Sequence, residues 1–124
     1  MISYQPLDTY PLVKTGDTYK FNIQVLDSSN REPKDLTDVT QGSYVFTRSN
    51  LSGEVLITKS LGNGMEILNA LDGIVEITLD NADTKGLPAG LNYHEAKLKT
   101  SNARQFTILD EHVNVEEQQI KEIL

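Results

Sequence analysis

The sequence predicts an all-β domain, an antiparallel sandwich or barrel of about seven to eight short strands. Three observations predict it. Turn-forming residues recur at intervals, in segments 15–17, 28–33, 50–53, 62–64, 72–73, 80–90 and 101–102, a spacing typical of sandwiches and barrels. Between them, apolar and polar residues alternate with period two, which puts one face on a core and one in water. No long stretch of helical period separates the strands, so they lack the crossover helices that parallel neighbours need and are expected to pair antiparallel.

The clearest strand is 19–26, where Tyr19, Phe21, Ile23 and Val25 alternate with Lys20, Asn22 and Gln24. Segment 43–49 follows, made more buried by Tyr44, Val45 and Phe46. Strands at 54–60 and 65–68 are expected to form a hairpin over Gly62, Asn63 and Gly64, and Asp72 and Gly73 turn a second hairpin into 74–79. Residues 81–85 form one helical turn capped by Asp80 or Asn81. In 91–100, Ala96 and Leu98 share one face and Glu95, Lys97 and Lys99 the other. The last strand, 104–115, carries Phe106, Ile108, Val113 and Val115, with a bend at 110–112. The four prolines, Pro6, Pro11, Pro33 and Pro88, avoid these strand interiors, where a backbone donor is needed. The expected core is Phe21, Ile23, Val25, Phe46, Val75, Ile77, Leu98 and Phe106.

The reading divides the chain into a sandwich, 1–115, and an acidic tail, 116–124. Residues 110–124 hold five acids against one lysine, a net −4 of the total −7. Good helix formers place Ile120, Ile123 and Leu124 on one side of a short C-terminal helix. Nine residues do not hold a helix alone in water. The stripe would pack on another chain, making these three residues a partner contact, or on its own domain, or the tail would fray.

A chain of 124 residues fits one domain and can bury roughly two-thirds of its unfolded surface. With no cysteine it has no disulfide, zinc-thiolate site or thiol nucleophile. The acidic balance and scattered basic residues argue against a nucleic-acid partner. The N-terminus lacks the basic start and apolar run of a signal peptide, and no apolar run approaches the ~20 residues of a membrane helix. The expectation is a soluble protein without an export signal.

Candidate chemistry is sparse. His94 and His112 have no metal-ligand partner at helical or strand spacing, and no nucleophile motif accompanies them. They read as strand histidines, partly buried or on the surface. Asp80, Asn81 and Asp83 read as a cap and turn; calcium is the alternative, although the spacing is not that of an EF-hand. The sequon at Asn50, Leu51 and Ser52 reads as chance. The glycines at 62 and 64 lack the helix and lysine of a phosphate loop. Without Trp the chain lacks the usual sugar-binding platforms, and its rings fall mainly at core positions. We expect no catalytic, cofactor-binding or metal-binding residues, and no enzyme.

Leu87, Pro88, Ala89, Gly90, Leu91, Asn92 and Tyr93 make a tight corner leading into a strand with an early tyrosine. This resembles the tyrosine corner of immunoglobulin-like sandwiches, whose hydroxyl bonds back to the corner backbone; a tyrosine that merely starts a strand is the alternative. A longer succession carries a family resemblance. It runs through the Thr-Gly-Asp-Thr-Tyr-Lys-Phe run at 15–21, Arg-Glu-Pro-Lys-Asp-Leu-Thr at 31–37 and Tyr-Val-Phe-Thr-Arg at 44–48. It continues through Asp-Gly-Ile-Val-Glu-Ile-Thr-Leu at 72–79, Asp83 and Thr84, Leu-Pro-Ala-Gly at 87–90 and Tyr-His-Glu-Ala-Lys-Leu at 93–98. Over roughly residues 10–115 the chain resembles the immunoglobulin-like N-terminal domain of baseplate upper proteins from phages of Gram-positive bacteria, and small prophage tail proteins. The glycine that such domains often have near 101–102 is missing. The resemblance implies an immunoglobulin-like sandwich and a virion component of the tail or baseplate, made in the host bacterial cytoplasm. Its partners would be other tail proteins, with homo-oligomers open. With one domain and no receptor-binding-protein anchoring region, a small accessory part is expected. The alternative is a carbohydrate- or adhesin-type binding module from a larger extracellular protein.

Overall fold

The computed structural model describes residues 2–6, 12–48 and 53–117. Nine strands and one helical turn follow in order: β1 (Ile2–Pro6), β2 (Leu12–Lys14), β3 (Tyr19–Asp27), β4 (Val39–Thr47), β5 (Val55–Leu61), β6 (Gly64–Asn69), β7 (Ile74–Leu79), α1 (Asn81–Lys85), β8 (Gly90–Thr100) and β9 (Gln105–Glu116). All nine lie in one sheet, ordered β1-β3-β7-β6-β5-β4-β8-β9-β2.

Period-two alternation becomes one shared core. On β3, Phe21, Ile23 and Val25 turn inward; on β7, Val75, Ile77 and Leu79 do the same. Their register sets Phe21 beside Ile77 and Ile23 beside Val75, so apolar pairs face one another across the ladder. Tyr44 and Phe46 of β4, Ala96 and Leu98 of β8 and Leu109 and Val113 of β9 complete the same cluster. Seven of the eight expected core residues are fully buried, and Phe106 packs against the cluster from a partly buried position.

The sheet curls around this core and nearly closes. Tyr4 of β1 reaches β9, where its hydroxyl lies 3.4 Å from the backbone N and O of Asp110. These long contacts bring β1 to β9, the strand next to the far border, without a ladder between them.

The structure corrects several sequence expectations. The sheet is mixed, because β2 runs parallel to β9 and β5 runs parallel to β6. Among the described residues there are nine strands, since β1 and the three-residue β2 carried too little pattern to be read. Pro6 ends β1, a border strand where a missing N–H donor is tolerated. Gly62 to Gly64 is a corner and not a hairpin. Gly62 and Gly64 adopt φ of 89° and 86°, open to glycine at little steric cost, and the chain turns so that only Ser60 and Leu61 pair with Gly64 and Met65. The Asp72–Gly73 hairpin forms as expected, with a bulge at Leu68. β9 runs unbroken past 110–112; its irregularity lies earlier, where Ala96 pairs with Leu109 and Lys97 with Thr107. β9 extends to Glu116, and the predicted contact residues Ile120, Ile123 and Leu124 lie outside the described residues.

Candidate functional site

His94 is the most chemically loaded position in the fold. Strand parity puts Asn92, His94, Ala96 and Leu98 on the inner face of β8, and His94 is 0% exposed. It stands in a box of ring edges, T-shaped to Phe21 at 5.4 Å, Tyr44 at 5.6 Å and Phe46 at 6.3 Å. Nδ1 lies 3.0 Å from the Tyr44 hydroxyl. Nε2 lies 3.6 Å from Oε1 of Glu111, its register partner on β9. A carboxylate beside Nε2 favours the proton there, leaving Nδ1 to accept from the Tyr44 O–H. Glu111 Oε2 in turn lies 3.4 Å from the Tyr4 hydroxyl at the β1–β9 seam.

This is a polar line from the core to the seam: Tyr44, His94, Glu111, Tyr4. Burial lowers the His94 pKa, and the nearby Glu111 opposes that shift only in part, so the ring is held toward its neutral form. Burial also raises the Tyr4 pKa, with the carboxylates of Glu111 and Asp110 adding to it. A hydroxyl, imidazole and carboxylate in series resemble the parts of a nucleophilic triad. Here the hydroxyl belongs to Tyr44, 1% exposed, and the imidazole beside it is fully buried, so the hydroxyl–imidazole end is enclosed and the line reaches the surface only at Glu111 and Tyr4. The sequence reading had placed His94 as partly buried or on the surface. It missed Glu111, which the β8–β9 register alone brings to it.

The corner before β8 also differs from expectation. Tyr93 points to the outer face, where its ring meets His112 edge-on at 5.5 Å. Asn92, 2% exposed, does the expected work of the tyrosine: its amide donates to Pro88 O at 3.0 Å and Gly90 O at 3.4 Å.

The acidic loop at Asp80 is a cap. The Asp80 carboxylate accepts from Asp83 N at 2.8 Å and the Asp83 carboxylate from Asp80 N at 2.9 Å, a reciprocal capping box. Asp83 also meets Lys59 Nζ at 2.7 Å, with both side chains largely buried. Burial works against the Asp83 charge, but the Lys59 and backbone bonds outweigh it and its pKa is lowered. No cluster of three metal-ligating side chains occurs among the described residues.

Large apolar side chains left in water mark the rest of the surface: Val55, Leu68, Leu71 and Leu91 are 55%, 50%, 69% and 57% exposed. Leu68 and Leu71 share the β6–β7 hairpin, and Val55 and Leu91 lie at the starts of β5 and β8.

No protein-family model matches the chain, and no curated protein matches it. Among solved structures, one similar chain comes from the work described as "Structural basis of T cell specificity and activation by the bacterial superantigen toxic shock syndrome toxin-1". It shares 15% identity and a TM-score of 0.50, over 93% of this chain and 98% of that one. Another is from the "Crystal structure of the Lin-41 filamin domain", with 9% identity, a TM-score of 0.47 and 91% of each chain covered. The first likeness is one of overall fold alone. The chain is an all-β protein built on one mixed, nearly closed sheet.

Proposed function

We propose that the chain is a structural component of a bacteriophage or prophage tail or baseplate and acts through protein–protein contacts. The strand order supports an immunoglobulin-like arrangement: β1-β3-β7-β6 as one layer and β5-β4-β8-β9-β2 as the other, laddered to each other, among the described residues, only where Ser60 and Leu61 meet Gly64 and Met65. In that arrangement the inner faces of the two layers share the core, with side chains at alternate positions.

The observation that carries a contact role is the division between interior and rim. The imidazole and hydroxyl at His94 and Tyr44 are enclosed, whereas apolar side chains at strand starts and the β6–β7 hairpin stand in water. Buried polar groups of this kind fix a unique packing, and exposed apolar groups are what protein contacts cover. The phage setting rests on the sequence resemblance over residues 10–115.

The test is deletion of the gene from the phage or prophage that carries it, followed by electron microscopy of the particles. Incomplete or absent tails, restored by supplying the chain in trans, are expected. Normal, infective particles without it would refute the proposal, and glycan binding by the isolated chain would then favour the extracellular module.

A further inference from the structure

We propose that Asn63 is a site of spontaneous covalent modification, where the side-chain amide is lost and isoaspartate forms, and that the product loosens the β5–β6 ladder. The reaction needs the backbone nitrogen of the next residue to reach the asparagine side-chain carbonyl. A Cβ on that next residue obstructs the approach, so asparagine before glycine reacts fastest. Of the chain's asparagines only Asn63 precedes glycine. The fold fixes this pair. Gly64 has φ 86°, open to glycine at little steric cost, and a Cβ there would clash with the stem of Lys59. Asn63 is exposed, and among the described residues its side-chain amide makes no hydrogen bond.

The other places where this chemistry could start are held. Asn69 donates to Asp72 Oδ2 at 3.0 Å and Asn92 is 2% exposed. Asp72 precedes Gly73, but Gly73 N donates to Ala70 O at 3.3 Å. At Asn63 the Gly64 nitrogen gives its proton to solvent and bonds to the side-chain carbonyl carbon. The bond from that carbon to the amide nitrogen breaks, and ammonia leaves. Water then opens the cyclic imide, at one carbonyl to aspartate and at the other to isoaspartate. Isoaspartate carries the main chain through the former side-chain carbonyl and lengthens it by one methylene. The old main-chain carbonyl becomes a free carboxylate. That carbonyl accepts from Ser60 N at 3.1 Å, and one step on Gly62 N donates to Met65 O at 2.8 Å. These bonds set Ser60 and Leu61 against Gly64 and Met65, where, among the described residues, the two halves of the strand order are laddered together.

The inference rests on this turn and not on the tail-assembly proposal; its failure would leave that proposal standing. The experiment is incubation of the full, folded chain at mildly alkaline pH in heavy-oxygen water, followed by peptide mapping with fragmentation that separates aspartate from isoaspartate. Circular dichroism checks that the chain stays folded. The expected result is isoaspartate at position 63 carrying one heavy oxygen, formed at least about tenfold faster than at any other asparagine or aspartate. Asn63→Gln, which must close a larger and slower ring, should lose that product. The purified isoaspartate form should show weaker amide protection at Gly62 by hydrogen exchange. An unmodified Asn63, a product without isoaspartate, faster reaction at another position, or unchanged protection at Gly62 would overturn the proposal.

Discussion

His94 shows what one residue's surroundings do to its chemistry. In water an imidazole takes a proton near pH 6.5; in the box of Phe21, Tyr44 and Phe46 its pKa is lowered by burial. The unfolded chain therefore binds the proton first as pH falls. The contribution of neutral His94 to stability is fully present above about pH 6.5 and is lost as pH drops through the folded-state value, by up to about 1.4 kcal/mol per pH unit. Urea melts between about pH 7 and 5 should show this slope, and His94→Gln should flatten it even though that variant is less stable overall. An unchanged slope in the variant would place the titration elsewhere. Gly73 and Ala103 supply opposite backbone tests. Gly73 has φ 69°, and a Cβ there would lie 2.6 Å from Val25 O and 2.7 Å from Lys34 O, so Gly73→Ala should cost about 2 kcal/mol or more. Ala103 already adopts φ 67° in the β8–β9 turn. Ala103→Gly should gain roughly 0.5–1 kcal/mol by releasing that strain, as the same melts would record. The resemblance had marked a missing glycine near 101–102 but not Ala103 itself, whose backbone angle no residue type there announces. The burial of His94 was not legible either, because its carboxylate neighbour lies across a strand pair and no local spacing encodes it.

Among the elements, β3 and β7 were the most legible, since strict alternation of Phe21, Ile23 and Val25 and of Val75, Ile77 and Leu79 leaves one choice of inner face. Ile77 sits between β3 and β6, opposite Phe21 and Met65, and is 0% exposed. Ile77→Ala should cost about 2–5 kcal/mol in a denaturant melt; a loss below about 1 kcal/mol would contradict its central placement. α1 was legible from its cap, because Asp80 and Asp83 stand at the spacing of a reciprocal box. Strand direction was not legible at 62–64. Two glycines suit a tight hairpin equally well, and the packing of Lys59 over the turn is set by distant residues. Its stem crosses over Gly64, where a Cβ would clash with Lys59 Cδ, and its ammonium reaches Asp83 of α1. β2 was invisible for a related reason: three residues show no period, and their partner, Asn114 to Glu116, lies about a hundred positions away.

The described residues form a mixed sheet curled on one core, with the Tyr44–His94 end of the polar line enclosed and four large apolar side chains exposed at strand starts and one hairpin. That division fits the proposal of a part built into something larger, with a tail or baseplate proposed as the assembly from the sequence resemblance. The fold class was legible because turn spacing and alternation are local. The contact surface was not: the reading placed a partner contact at Ile120, Ile123 and Leu124, which lie outside the described residues. The most direct measurement is quantitative mass spectrometry of purified particles from the phage or induced prophage that encodes the chain. The account predicts the chain in washed particles at a fixed copy number relative to the major tail protein. Its absence from particles that are otherwise complete would contradict it.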